Sequence, residues 1–217
     1  MQRPCALRWT RPRAGWCQKP DRIAVRVADN VISRVASRIV IADAGPLIAL
    51  ARIERLDLLP GLFGQISITT QIANELLGGG SFLDSPRLRA AMSQPWLATI
   101  DPKGLLADAV VERCNEWMNL YQIDVGEASA MVLAQLSQAK GSAPLLVIDD
   151  HRGRSAAQHA GLAVIGTTGL LLLAKKLNLV SEVRPLLQAL RNSGYFLSAR
   201  LIEAALRQAQ ELDENQG

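Results

Sequence analysis

The chemistry available to this chain is carried by acids. Asp43, Glu75, Glu127 and the pair Asp149-Asp150 recur at places where a fold can gather side chains, and no comparable set of His, Cys or Ser accompanies them. Asp43 ends an apolar run at residues 39–42 and is followed by Gly45-Pro46, a turn into an apolar helix. Asp149-Asp150 ends the run LLVI, the most apolar strand candidate in the chain. An acid just past a buried strand lies where open α/β sheets hold ligands and catalytic groups. Glu127 falls in the first turn of a helix, and Glu75 near the end of another. Carboxylates gathered at one rim repel and raise each other's pKa unless a divalent cation neutralises them. Hard oxygen donors without His or Cys suit Mg²⁺ or Mn²⁺ rather than zinc. Such ions assist displacement at phosphorus and activate the attacking water.

Each acid also has a plainer duty open to it. Asp43 can be a turn former or helix cap, and Glu75 an ordinary exposed helix residue. Asp124-Val-Gly-Glu127 has the spacing of a capping box, compatible with a second role for Glu127. Asp149-Asp150 serves no packing need, although a turn could use it. His151, Arg152 and Arg154 follow the double acid and could hold a phosphate; a solvated helix start would look the same. Thr167 and its neighbour Thr168 could support the site by hydrogen bonds or cap a helix.

The elements that must position these acids alternate. Strand-like runs at residues 39–42, 65–69, 96–100, 145–148 and 162–165 are separated by helical patterns. Those helices are expected over 46–52, 53–59 (closed by Pro60-Gly61), 71–77 with Thr70 as cap and Gly78–Gly80 as breaker, 85–92, 105–120, 126–140, 155–160 and 169–177 with Thr168 as cap. A pair over 180–192 and 199–212 ends the chain. Strands that are apolar on both faces and alternate with helices predict a three-layer α/β/α sandwich with a mostly parallel central sheet. We divide the chain into a basic extension (residues 1–37), the α/β domain (38–180) and the helical pair (181–217). Within the extension, residues 1–21 are expected to be irregular, 22–27 could form a weak edge strand and 30–37 a short helix.

Composition narrows the class. Among 217 residues, 49% are hydrophobic and 20% charged, which fits a globular protein with a sizeable core. Residues 1–38 hold nine Arg/Lys against two Asp and carry +7, so the rest of the chain carries −3 despite an overall +4. A basic tail can bind nucleic acid by counterion release, or can be an extension without a role. Cys5, Cys17 and Cys114 have no C-x-x-C spacing, so neither a disulfide framework nor a zinc site is expected and a reducing cytoplasm is the expected home. No apolar run approaches the length of a membrane helix. There is no Walker loop, no G-x-G-x-x-G and no Ser/His/Asp set, which argues against an NTPase, a dinucleotide enzyme or a triad hydrolase.

In order along the chain, the segments IVIADAGPLIALARIERLDLL, ISITTQIANEL, DVGEASAMVLA and LLVIDDHRGRSAAQHAGLAVIGTTGLLLLAKK resemble PIN-domain proteins, in particular a VapC-like branch of unknown function (DUF3368-like). The likeness runs from Ile39 to Leu212. It implies a Mg²⁺- or Mn²⁺-dependent endoribonuclease, commonly the toxin of a VapBC-type toxin–antitoxin pair. Carried over by position, Asp43 matches the family's first metal-binding Asp and Glu75 its helix Glu. Glu127 falls where many relatives have Asp, and Asp150 matches the last acid, with Asp149 as an extra neighbour. The catalytic set is thus Asp43, Glu75, Glu127 and Asp150, and the metal set Asp43, Glu127, Asp149 and Asp150. Expected partners are RNA, a small antitoxin laid as an apolar helix in a groove, or a second copy. A catalytically silent PIN-like binding module and a DNA- or structure-specific nuclease are the rival readings.

Overall fold

Five short strands set the frame: β1 (Val40–Ala42), β2 (Ile66–Thr69), β3 (Leu97–Ile100), β4 (Leu145–Val147) and β5 (Ala163–Ile165). The computed structural model describes residues 39–78 and 86–212. The expected strand over 22–27, the helix over 30–37 and the break at Gly79-Gly80 lie outside the described residues. All strand pairs are parallel, in the order β3-β2-β1-β4-β5. The chain therefore runs outward from β1 to β3 on one side, then returns to lay β4 on the other side of β1. The crevice at that reversal, past the carboxyl ends of β1 and β4, is where such sheets bind ligands. β1 and β4 are fully buried, as a parallel sheet covered on both faces requires.

Ten helices connect and cover the described strands: α1 (Ala44–Arg52), α2 (Leu58–Phe63), α3 (Thr70–Gly78), α4 (Pro86–Met92), α5 (Lys103–Tyr121), α6 (Val125–Ala139), α7 (His151–His159), α8 (Thr167–Lys176), α9 (Arg184–Asn192) and α10 (Ala199–Gln208). The result is a three-layer α/β/α sandwich. α6 is the central one. It packs on β1, β2 and β4, and its run from Gly126 to Ala134 is buried without interruption. The small residues Gly126, Ala128, Ser129 and Ala130 let its first turns lie close to the sheet. α9 and α10, with the residue that precedes α9, place Val183, Leu187, Leu190, Ala205 and Leu206 in the same core, and α10 packs on α8.

Several boundaries differ from the sequence reading. The helix expected over 53–59 is instead a turn followed by α2, which runs through Pro60-Gly61. Pro60 is the third residue of α2, inside the first turn, where its missing N–H has no intrahelical partner to lose. Thr69 rather than Thr70 caps α3, its Oγ1 accepting from Ile72 N at 3.3 Å. α7 begins at His151, four residues earlier than its apolar pattern suggested, because Asp150 caps it with hydrogen bonds from Arg152 N and Gly153 N. α8 begins at Thr167, one residue ahead of the expected cap Thr168.

Candidate active site

The carboxyl ends of β1 and β4 bring acids from distant parts of the sequence to one rim. Asp43 follows β1 directly, and its N–H donates to Val147 O at 2.9 Å, so the strand pairing continues under its side chain. Asp149-Asp150 lie just past the adjacent strand. Parallel neighbours are ~4.8 Å apart, so two acids at neighbouring strand ends need no further device to approach each other.

α6 supplies the third component through its amino terminus. Asp124 and Glu127 form a reciprocal capping box: Glu127 N donates to Asp124 Oδ1 at 2.8 Å and Asp124 N to Glu127 Oε2 at 3.3 Å. The cap and the site coincide, because Glu127 is buried and its other oxygen lies against Gly153 at the start of α7. A methyl on Gly153 would stand 2.5 Å from Glu127 Oε1, so only glycine fits there. Gly153 N in turn donates to Asp150 Oδ1 at 3.0 Å, which puts Asp150 and Glu127 on the same short stretch of backbone.

Glu75 reaches the rim from α3. A methyl on Gly126 would meet Glu75 Oε2 at 3.1 Å and Asp124 Oδ1 at 3.2 Å, so these two carboxylates flank one glycine. Beneath them, Thr69 Oγ1 and Ser129 Oγ are 2.6 Å apart in a buried contact, and Ser129 Oγ donates to Gly126 O at 2.7 Å. This pair ties the end of β2 to the start of α6.

Electrostatics report the crowding. Burial raises the Asp43 carboxyl from 3.8 to about 7; hydrogen bonds from Ala44 and Gly45 N–H oppose the rise, and Asp124 and Glu75 add to it. Glu127 rises from 4.5 to about 8, first through burial and then through Asp124, Asp43 and Asp150. Glu75 is raised by burial and Asp124. The charges acting most strongly on Asp43 and Glu127 are thus those of other carboxylates. Titratable groups perturbed together in a cleft mark a candidate active site.

Asp43, Glu75, Glu127 and Asp150 therefore share one rim, and Asp124 joins them. The sequence reading gave Asp124 only a capping duty; the signal that it also faces the rim is its spacing of three from Glu127, which fixes both on one helix edge. Asp149 faces the other way. Its Oδ1 accepts from Thr167 N at 2.8 Å and its Oδ2 from Thr167 Oγ1 at 2.5 Å, and the Tyr195 phenol engages the same carboxylate. Arg152 and His151 are exposed at the start of α7, Arg152 Nη1 donating to Gln122 O at 3.3 Å. Arg154 lies beside Asp149 over Gly166. Tyr195 had no signal in the sequence.

The donor set, all carboxylate oxygen, fits a hard divalent cation such as Mg²⁺ or Mn²⁺. Among the described residues, no three His, Cys, Asp or Glu side chains are already drawn into an ion-binding group; the acids converge on a rim without closing on a common point. No described helix is long and apolar enough to cross a membrane.

A family model described as a PIN domain (DUF3368) matches residues 39–211. No curated protein matches the chain.

Proposed function

The chain belongs to the PIN-domain family, a nuclease-type fold, and from that premise we propose that it is a metal-dependent endoribonuclease. The observation that carries this reading is the convergence of Asp43, Glu75, Asp124, Glu127 and Asp150 at the switch point of the sheet, where burial and neighbouring carboxylates raise Asp43 to about 7 and Glu127 to about 8. Asp43, Glu127 and Asp150 would hold Mg²⁺ or Mn²⁺, with Glu75 and Asp124 beside them. A bound cation supplies charge neutralisation at the phosphodiester and lowers the pKa of a water. The chain itself supplies the rest. Without a cation Asp43 and Glu127 retain protons near neutral pH; both carboxylates would lose those protons on binding a cation and be ionised as its ligands. The Thr69–Ser129 pair and the Asp124 cap fix the start of α6, so that Glu127 is oriented before substrate arrives. His151 and Arg152, exposed on the first turn of α7, can meet the phosphate backbone. Asp149, held by Thr167, acts in this reading as a positioning group.

Asp43→Asn should abolish metal-dependent RNA cleavage by the purified chain while leaving its circular dichroism spectrum unchanged. Cleavage at the wild-type rate would sink the assignment.

The toxin of a toxin–antitoxin pair is the biological role that fits such an activity, and it predicts a small protein partner recovered with the chain from its own host. A second reading, a catalytically silent PIN-like module, draws on one observation: the described carboxylates are not preassembled around a single point. Isothermal titration that finds no Mg²⁺ or Mn²⁺ binding would select it.

A further inference from the structure

Beside the carboxylate rim lies a cavity of about 160 Å³ that the reading above leaves unused. Its shape originates in the way α9 ends. Gly194 takes a φ of +81°, and the closing bonds Gly194 N to Arg191 O and Tyr195 N to Leu190 O, both 3.0 Å, make a Schellman turn. That exit directs the Tyr195 phenol toward Asp149 and Thr167. The next residue, Phe196, is left 88% exposed. An aromatic ring so exposed adds nothing to the core. Phe196 and Tyr195 form the lip of the cavity, Leu172 and Leu201 belong to its apolar lining, and Asp149 and Arg154 form its polar end. Asp149 and Arg154 stand together over Gly166, where an added methyl would lie 2.7 Å from Asp149 Oδ1 and 3.1 Å from Arg154 Nη1. The cavity and the rim are neighbours across two consecutive aspartates: Asp149 lines the cavity, the adjacent Asp150 faces Glu127, and Asp43 is among the charges that act on Tyr195. The larger surface hollow, about 490 Å³ along α5 between Asp108 and Asn119, is lined by none of these groups.

We propose that this cavity is a subsite for an unpaired base of the RNA next to the bond to be cleaved, with Phe196 as the stacking platform and Arg154 as the donor to the base edge or its phosphate. The identity of the ligand rests on the nuclease reading. A solvent-exposed aromatic beside a guanidinium is the equipment of single-strand recognition, because every base has a π-face and a splayed base has lost its own stacking partners. A paired base is already stacked and cannot enter. Donor groups on Arg154 match the acceptors that bases and phosphates carry.

The test uses the full chain, a single-stranded RNA oligomer with one 2-aminopurine, and Ca²⁺ in place of Mg²⁺ or Mn²⁺, so that the rim stays neutralised and binding is read without cleavage. Binding should quench the probe. Phe196→Ala and Phe196→Leu should each weaken binding about tenfold or more and relieve the quench, the loss expected for one base–aromatic stack, while Phe196→Tyr should retain both. The same probe in a duplex, already dim because it is stacked on its neighbours, should show no further change on adding the chain. Phe196→Leu keeps apolar bulk without the ring, so an unaltered affinity and quench in that variant would overturn the proposal and favour an apolar protein occupant. A concentration-dependent dimer in sedimentation that Phe196→Ala dissolves would overturn it in favour of a second copy. Failure here is separable from failure of the nuclease reading: a chain that quenches the probe but never cleaves RNA refutes catalysis alone, and one that cleaves RNA with the probe undisturbed refutes the subsite alone.

Discussion

Two carboxylate environments in this molecule have opposite signs. At the rim, Asp43 and Glu127 are raised to about 7 and about 8, because burial is reinforced by neighbouring acids. At the far end of the chain, Glu211 is lowered. Burial alone would raise it, but it accepts from Lys175 Nζ at 2.6 Å and from Val183 N and Arg184 N at 2.7 Å each, and these outweigh the burial. Arg184 also donates to the Glu211 carbonyl. Glu211 thus clasps the end of α8 and the start of α9 to the segment after α10. A carboxylate whose oxygens are all answered by donors is a structural part. A carboxylate surrounded by its own kind is held there at the expense of stability, a cost that cation binding would offset under the proposed nuclease reading.

The widest break in that contrast should come from neutralising a rim acid. Glu127→Gln keeps the hydrogen bond to Asp124 N but removes a charge, and RNA cleavage should fall by at least about 100-fold, the scale on which a lost active-site electrostatic contact registers. Metal-free stability above pH 8 should hold or rise in the same variant. A fall in both activity and urea midpoint would show that Glu127 is a structural part after all.

Glu211→Gln should do the reverse. It leaves cleavage per folded molecule unchanged and lowers stability by about 2–3 kcal/mol at pH 7, the cost of weakening several charge-assisted hydrogen bonds at once. Because the folded pKa of Glu211 is lowered, this stabilisation is present above the ordinary value of 4.5 and is lost as pH falls through the folded value. Urea melts of wild type and variant should therefore converge in acid. Curves that stay apart there would contradict the clasp.

The smallest effect sharpens the contrast through pH. Asp43 and Glu127 hold protons in the folded state that the unfolded chain has already released, so their contribution to stability is complete below about pH 4 and is lost as pH climbs through about 7 and about 8. Metal-free protein should melt about 3–6 °C lower at pH 8.5 than at pH 6, the size of 1–2 kcal/mol in a chain of this length. Mn²⁺ or Mg²⁺ should restore the loss at pH 8.5 and do little at pH 5. Thermal melts with and without cation give the answer, and an equal cation effect at both pH values would count against carboxylate ligation.

Legibility in the sequence followed the range of the interaction. The apolar run before Asp43, the capping spacing of Asp124 and Glu127, and the double acid after LLVI are local signals, and the strands and helices they imply are present. Glu75 was ambiguous because a helix acid near Leu76 and Leu77 reads the same whether it meets solvent or Asp124. Asp124 was assigned a cap, and that local duty concealed its position beside Glu75. The start of α2 was missed because Pro60 looks like a terminator unless the helix boundary is already known.

Local pattern by itself determined the alternating elements, the placement of acids at strand ends and helix starts, and hence the α/β class, since each depends on residues a few positions apart. The tertiary structure alone decided which acids meet. Strand order brings β1 beside β4, across more than a hundred residues, and that adjacency sets Asp43 near Asp150 and Glu127. It also turned Asp149 away toward Thr167 and Tyr195, distinguishing two consecutive aspartates that no spacing rule could separate. The physical reason is that charge and burial act through space: a carboxylate's pKa, and with it its chemistry, depends on neighbours the chain supplies only after it has folded.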